Sequence, residues 1–220
     1  LYGLDRALEA GIDDVGIGAL FGLYQDWKFE VMGLLYHSIH LEEKYGIGPH
    51  TISFPRLEPA FNTPFYEEAN RVADENLKKI IAVLRLSVPY TGLILTARED
   101  PEVRKEVIPA GVTQIDAGSR IGIGGYREAE KEDIKEKEQF QLGDMRSLDE
   151  VIKEICTLGQ IPSFCTAGYR CGRTGEHFMS LARPGKVHRF CMPNAVLTFK
   201  EYLLDYAAPE TQTAGSKVIE

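Results

Sequence analysis

The chain has 220 residues, 44% of them hydrophobic and 26% charged, with a formal charge of −8. That length holds one large domain or two modest ones. The acidic balance excludes a protein whose main work is to grip nucleic acid or an anionic membrane. No apolar run is long enough to cross a bilayer.

The opening, LYGLDRALEAGIDDVGIGAL, has no initiator Met and no secretory pattern. Asp5 is expected to cap a short helix ending at Gly11, with a strand directly after it. A helix that leads into a strand with no strand before it reads as a piece cut from a longer α/β chain. VGIGALFGL is the first predicted strand. Residues 27–45 then carry helical periodicity, with Phe29, Met32, Leu35 or Tyr36, and Ile39 along one face and Gly46 as the stop. HTISFPRL is the second strand, ended by Pro55. A long loop leads to a helix over 74–87 that is apolar at Leu77, Ile80, Ile81 and Leu84. GLILTARE is the third strand, DPEVRKEVIPAG a short helix with Pro in its first turn, and VTQIDAGSR the fourth strand.

Strands alternating with helices build parallel sheets. Four strands with three intervening helices fit half of a (β/α)8 barrel or part of an open sheet. In either architecture the residues just after each strand carry the chemistry, here 23–26, 56–59, 96–99 and 119–126. Half a barrel also leaves two unpaired edges and an apolar interior, which invites association.

The charge-dense run REAEKEDIKEKEQ reads as a solvated linker. Beyond it, Ser147 and Glu150 form a capping box for a helix holding Cys156. A strand-like IPSFC follows, then helices near 173–182 and 198–206. The domains expected are thus 1–126, a linker over 127–146, and a smaller mainly helical domain over 147–220.

All four cysteines fall in that last part. Their number is too small for a secreted disulfide scaffold and points to a reducing, cytoplasmic setting. Cys156 lies among apolar helix positions and reads as a core thiol. Cys165, Cys171 and Cys191 sit in loop-like sequence with Gly nearby, where thiolates can hold iron–sulfur clusters or zinc. Their C-x5-C…x19-C spacing is not a zinc-finger signature. His177 lies close to them in sequence. GIGGY could cradle an anion on backbone N–H groups or simply turn the chain out of a strand. Arg56, Arg98 and Arg120 each follow a strand. They either converge on a substrate carboxylate or pair with Glu58, Glu99 or Asp116. His37 and His40 share one helix face and could join a metal site or simply pack there.

The stretches GIDDVGIGALFGLYQDWKFEVMGLLYHSIHLEEKYGIGPHTISFPRLEPA, VPYTGLILTARE, AGSRIGIGGY, GRTGEHFM and PNAVLTFKEYLLDYA together resemble the HydG family, the tyrosine lyases that mature [FeFe]-hydrogenase. The thiamine-synthesis tyrosine lyase ThiH is a weaker match that lacks the cysteine-bearing tail. The resemblance implies a radical S-adenosylmethionine enzyme on a (β/α)8 TIM barrel, of which this chain is the C-terminal portion. It implies cleavage of L-tyrosine to p-cresol and dehydroglycine. The dehydroglycine yields carbon monoxide and cyanide for an iron synthon handed to the hydrogenase maturation machinery. The C-x3-C-x2-C motif for the radical [4Fe–4S] cluster is absent, so the fragment alone is expected to be inactive. An auxiliary iron–sulfur cluster with an extra iron is implied in the tail. Cys165 and Cys191 match two of its ligands, Gly168 stands where the third is expected, and Cys171 is the candidate replacement. The family also places a histidine on the extra iron, and His40 is chosen over His37 as lying nearer that end of the barrel. Arg98, Arg120, Thr96 and Ser119 are assigned to the lining of the tyrosine site, and Arg56 to cofactor binding. The alternatives are a non-catalytic iron–sulfur, zinc or scaffold module, or a ThiH-like lyase.

Overall fold

Four short parallel strands form one sheet in sequence order: β1 (Gly16–Gly18), β2 (Thr51–Ser53), β3 (Gly92–Leu95) and β4 (Gln114–Ile115). The computed structural model describes residues 2–60, 70–122, 124–126, 138–164 and 174–220. The crossovers are the helices α2 (Trp27–Tyr45), α3 (Asp74–Ser87) and α4 (Pro101–Val107), the last continuing as a 3-10 turn over Ile108–Ala110. A short helix α1 (Gly3–Glu9) precedes β1. This is the parallel α/β alternation that the sequence predicts.

Why these segments take these forms is visible locally. The Asp26 carboxylate accepts from the Lys28 backbone N–H and so starts α2, and Gly46 ends it in the left-handed conformation at φ 69°. In α3 the apolar positions Leu77, Ile80, Ile81 and Leu84 recur at helical spacing and are fully buried. They pack with Ile17, Ile52, Leu93 and Leu95, which point from the sheet towards the helices.

The other face of the sheet is different. Gly16, Gly18, Thr51, Ser53, Ile94 and Gln114 alternate with those core residues and stay open. Small and polar residues therefore line this face, where an apolar interior was expected. Space is also tight within it: a Cβ on Gly18 would lie 2.9 Å from the Ser53 carbonyl oxygen.

Two further expectations are corrected. Helix α2 buries Val31, Leu34, Ser38 and Leu41, while Phe29, Met32, Tyr36 and Ile39 face outward. The apolar side chains on this helix run nearly all round, so periodicity picks the wrong face. Asp5 does not cap α1. It lies inside the helix, 4% exposed, and accepts hydrogen bonds from Lys44 Nζ at 2.9 Å and the Tyr45 hydroxyl at 2.9 Å, with His40 Nε2 at 2.8 Å.

The tail is helical: α5 (Leu148–Thr157), α6 (Gly175–Ala182), α7 (His188–Asp205) and α8 (Pro209–Ile219). Ser147 and Glu150 close the predicted capping box at α5. Residues 161–164 form no strand. Helix α5 joins two cores. Val151 and Ile155 pack into the sheet core, whereas Ile152 and Cys156 pack with Phe199, Tyr202 and Leu203 of α7. The described end of the predicted linker is also packed: Gln141 N–H donates to the Pro59 carbonyl, Asp144 N–H to that of Ala97, and Asp144 is 2% exposed.

Candidate functional site

The C-terminal ends of β2, β3 and β4 place Arg56, Glu58, Thr96, Arg98, Glu99 and Asp116 at one rim of the sheet. Arg56 is fully engaged. Its Nε donates to Glu99 Oε1 at 3.0 Å and its Nη2 to Glu99 Oε2, and Nη1 reaches the Val72 carbonyl and Asp74 Oδ1 at 2.8 Å. With Glu99 only 2% exposed, this is a buried fork that braces β2 against β3. These bonds give Arg56 a bracing role, and the expected cofactor contact would have to be made by its remaining Nη2 N–H.

Arg120 is partly engaged. Its guanidinium donates to the Ser119 carbonyl at 2.8 Å and the Met145 carbonyl at 3.2 Å, holding the 119–126 turn to the segment before α5. Ser119 Oγ donates to Asp116 Oδ2 at 3.4 Å. Arg98 is the contrast. Its guanidinium lies 3.4 Å from the ring centre of Phe140, and among the described residues nothing accepts a hydrogen bond from it. Thr96, two residues earlier on the same face, has a buried Oγ1 without a partner among the described residues, as does Asp116 at its Oδ1.

Glu58 stands beside a pocket of about 160 Å³ whose wall also includes Phe21, Arg56 and Arg71. Burial pushes its carboxyl up to about 7, Glu99 adds to the rise, and Arg56 opposes it. A raised folded-state value means that the folded protein holds a proton the unfolded chain releases between about 4.5 and 7. The ionised carboxylate therefore costs stability above pH 7. Glu58→Gln should be more stable than the parent at pH 8 by ~1 kcal/mol, allowing for screening at a half-exposed group. The gain should vanish by pH 4.5. Urea midpoints at both pH values check this, and a gain independent of pH would show that Glu58 is not the source.

The other end of the sheet receives the tail. Thr174 Oγ1 donates to Asp13 Oδ2 at 3.0 Å, and Phe178 stacks on His50 with ring centres 4.7 Å apart. Arg183 reaches the Gly46 carbonyl and the Glu42 carboxylate. Helix α6 thus sits below the N-terminal ends of β1 and β2. Cys165 and Cys171, with Gly168, lie outside the described residues. Cys191 occupies the first turns of α7 and is exposed, where loop was expected. Cys156 is a core thiol, raised to about 11 by burial. Among the described residues no three His, Cys, Asp or Glu side chains form a metal cluster.

The two α2 histidines have unlike partners. His40 Nε2 is held by Asp5. His37, 6.4 Å away between ring centres, keeps a buried Nε2 with no partner among the described residues. Burial, then the neighbouring His40, lowers its pKa, so its ring stays neutral as metal binding requires. Sequence spacing makes the two equivalent. The missing signal is the Asp5 contact across to another helix, which claims one of them.

Residues 53–161 match the Biotin and Thiamin Synthesis associated domain. The chain is 34% identical over 158 residues to the 2-iminoacetate synthases of Salmonella typhimurium and Escherichia coli, covering 72% of its own length and 40% of theirs. It therefore spans less than half of the curated relatives it matches. Among solved structures, HydG, described as a maturase of the [FeFe]-hydrogenase, superposes with a TM-score of 0.90 at 53% identity, over 99% of this chain and 46% of that one. The FeFe-hydrogenase maturase HydG from Carboxydothermus hydrogenoformans gives a TM-score of 0.79 at 42% identity, over 99% and 45%. Near-complete coverage of this chain at that identity extends the likeness through the rim arginines and the helical tail alike, and the chain belongs to the HydG family of hydrogenase maturases, related to the 2-iminoacetate synthases.

Proposed function

We propose that this chain is the C-terminal portion of a radical S-adenosylmethionine tyrosine lyase that supplies carbon monoxide and cyanide for [FeFe]-hydrogenase maturation. On this reading its four strands belong to the C-terminal part of a (β/α)8 TIM barrel, and the tail is the auxiliary iron–sulfur domain. The C-x3-C-x2-C ligands of the radical cluster are not in this sequence, so no step of radical generation is assigned to its residues.

The observation that carries the reading is the contrast among the rim arginines. Arg56 braces two strands and Arg120 donates to two main-chain carbonyls, whereas among the described residues Arg98 donates no hydrogen bond and the nearby Thr96 hydroxyl has no partner. A planar cation with a neutral donor next to it matches an amino-acid carboxylate. In this role Arg98 orients the substrate, the Thr96 hydroxyl donates a second hydrogen bond while its oxygen stays able to accept one, and Phe140 covers one face of the guanidinium.

The tail fits thiolate and imidazole ligation. Cys191 offers an exposed thiol at the start of α7, and Cys165 and Cys171 would complete a thiolate set. Such a cluster would supply the site at which an extra iron collects its diatomic ligands. The imidazole for that iron is assigned to His37, in place of the expected His40, because His37 has the uncommitted, neutral nitrogen.

In the full-length enzyme, Arg98→Ala should weaken L-tyrosine binding ~10- to 100-fold, the loss of one or two charge-assisted hydrogen bonds. Isothermal titration measures it, and an unchanged affinity rejects the role.

A further inference from the structure

Register brings two orphaned polar atoms together. β3 and β4 pair in parallel with Leu95 opposite Ile115, so the next residues, Thr96 and Asp116, stand side by side as the strands end. Alternation sets both on the face shared by Ile94 and Gln114, the small-residue face, and away from the helices. Thr96 Oγ1 and Asp116 Oδ1 are both buried, and neither has a hydrogen-bond partner among the described residues.

A buried carboxylate oxygen without a donor is costly. The neighbouring groups do not relieve it. Ser119 Oγ reaches only Oδ2, at 3.4 Å. The fully buried Arg104 donates to the Asp116 main-chain carbonyl at 2.6 Å and gives its other terminal nitrogen to Asp144. Arg104 thus fixes the backbone of Asp116 and leaves its side chain unmet. Arg98 is near enough to feel the Asp116 charge but donates no hydrogen bond to it. What remains is an acceptor pair next to a cation, a pattern complementary to a zwitterion.

We infer that Asp116 Oδ1, seconded by the Thr96 hydroxyl, is the recognition point for the α-ammonium group of the amino-acid substrate. This rests on the tyrosine-lyase reading and makes Asp116 a specificity-determining residue of that site. Arg98 takes the carboxylate and Asp116 the ammonium, so the two ends of the α-carbon are pinned from adjacent strands. A substrate without the amine leaves Asp116 buried and unpaired, and the site rejects it on that account.

The test titrates the full-length enzyme with L-tyrosine and with 3-(4-hydroxyphenyl)propionate, which keeps the carboxylate and phenol but lacks the amine. The parent should prefer tyrosine at least tenfold. Asp116→Asn should lose that preference by weakening tyrosine alone, and Thr96→Val should reduce it less. Arg98→Ala should weaken both ligands alike. An Asp116→Asn enzyme that still prefers tyrosine tenfold overturns the inference and leaves the lyase reading intact. A parent that binds neither compound overturns both. If Arg98→Ala changes neither affinity while Asp116→Asn abolishes the preference, the carboxylate assignment falls and the ammonium assignment stands. Retained S-adenosylmethionine affinity in Asp116→Asn shows that the variant is folded, so a lost preference reports on the amine.

Discussion

Arg104→Ala should cost ~3–5 kcal/mol of folding stability, the penalty of breaking a fully buried ion pair from one side. Arg104 and Asp144 are each 1% exposed at their side chains, and Nη1 meets Asp144 Oδ2 at 2.7 Å. Burial pushes the Asp144 carboxyl up, but hydrogen bonds from Arg146 and the charge of Arg104 hold it below the ordinary carboxylate range. Arg146 contributes Nε to Oδ1 at 2.9 Å and Nη2 to Oδ2 at 2.8 Å, and also binds Glu154 of α5. One arginine from α4 and one from the approach to α5 thus clamp the same carboxylate, and the clamp ties the tail to the sheet. Removing Arg104 also frees the Asp116 carbonyl and leaves a cavity the size of a long side chain. In urea unfolding, Arg104→Ala and Asp144→Ala should be strongly non-additive, the double variant costing well under the two single losses together. Additive losses would mean that the pair carries no coupling and that packing alone explains the effect.

How much of this was legible beforehand divides along physical lines. The alternation of strands and helices was, because it rests on local signals: Asp26 and Gly46 bounding α2, apolar spacing in α3, Ser147 and Glu150 at α5. Which face a helix buries was not legible where its apolar residues run nearly all round, as in α2. The site divides in the same way. The sequence shows that Arg56, Arg98 and Arg120 each follow a strand, but it cannot show which of them the protein spends on itself. That depends on Glu99 and on the Ser119 and Met145 carbonyls, contacts set by tertiary placement. Asp116 went unnoticed as a ligand group because an acidic residue beside arginines reads as an ion-pair partner. Only the parallel register of β3 and β4 pairs it with Thr96. Helix direction points to His40 over His37, whereas the proposed use of His37 rests on the Asp5 contact to His40 Nε2, which no sequence pattern shows.

Cys191→Ser in the full-length enzyme should abolish auxiliary-cluster iron while leaving the radical cluster and S-adenosylmethionine binding in place. A serine hydroxyl is a hard, weakly acidic donor and a poor substitute for a thiolate at iron. Position matters as much as chemistry. Cys191 sits on a helix whose later turns are pinned through Phe199, Tyr202 and Leu203, so its thiol is carried on a fixed element. On either side of the 165–171 stretch, Phe164 stacks on Tyr202 with ring centres 5.0 Å apart and Asp13 holds Thr174. On the proposed reading, Cys191 supplies one thiol from the helix and the 165–171 stretch supplies the others. Gly168 cannot ligate iron, so Cys171 is proposed as the second donor of that stretch. Anaerobic reconstitution with iron and sulfide counting separates the contributions. Cys191→Ser and Cys171→Ala should both lose the auxiliary iron, and Gly168→Cys placed on the Cys171→Ala background should restore it. Full iron uptake by Cys171→Ala would remove Cys171 from the ligand set. It would leave Cys165 and Cys191 to hold the cluster with a non-thiolate third ligand, for which His37, whose buried Nε2 has no partner among the described residues, is the next test.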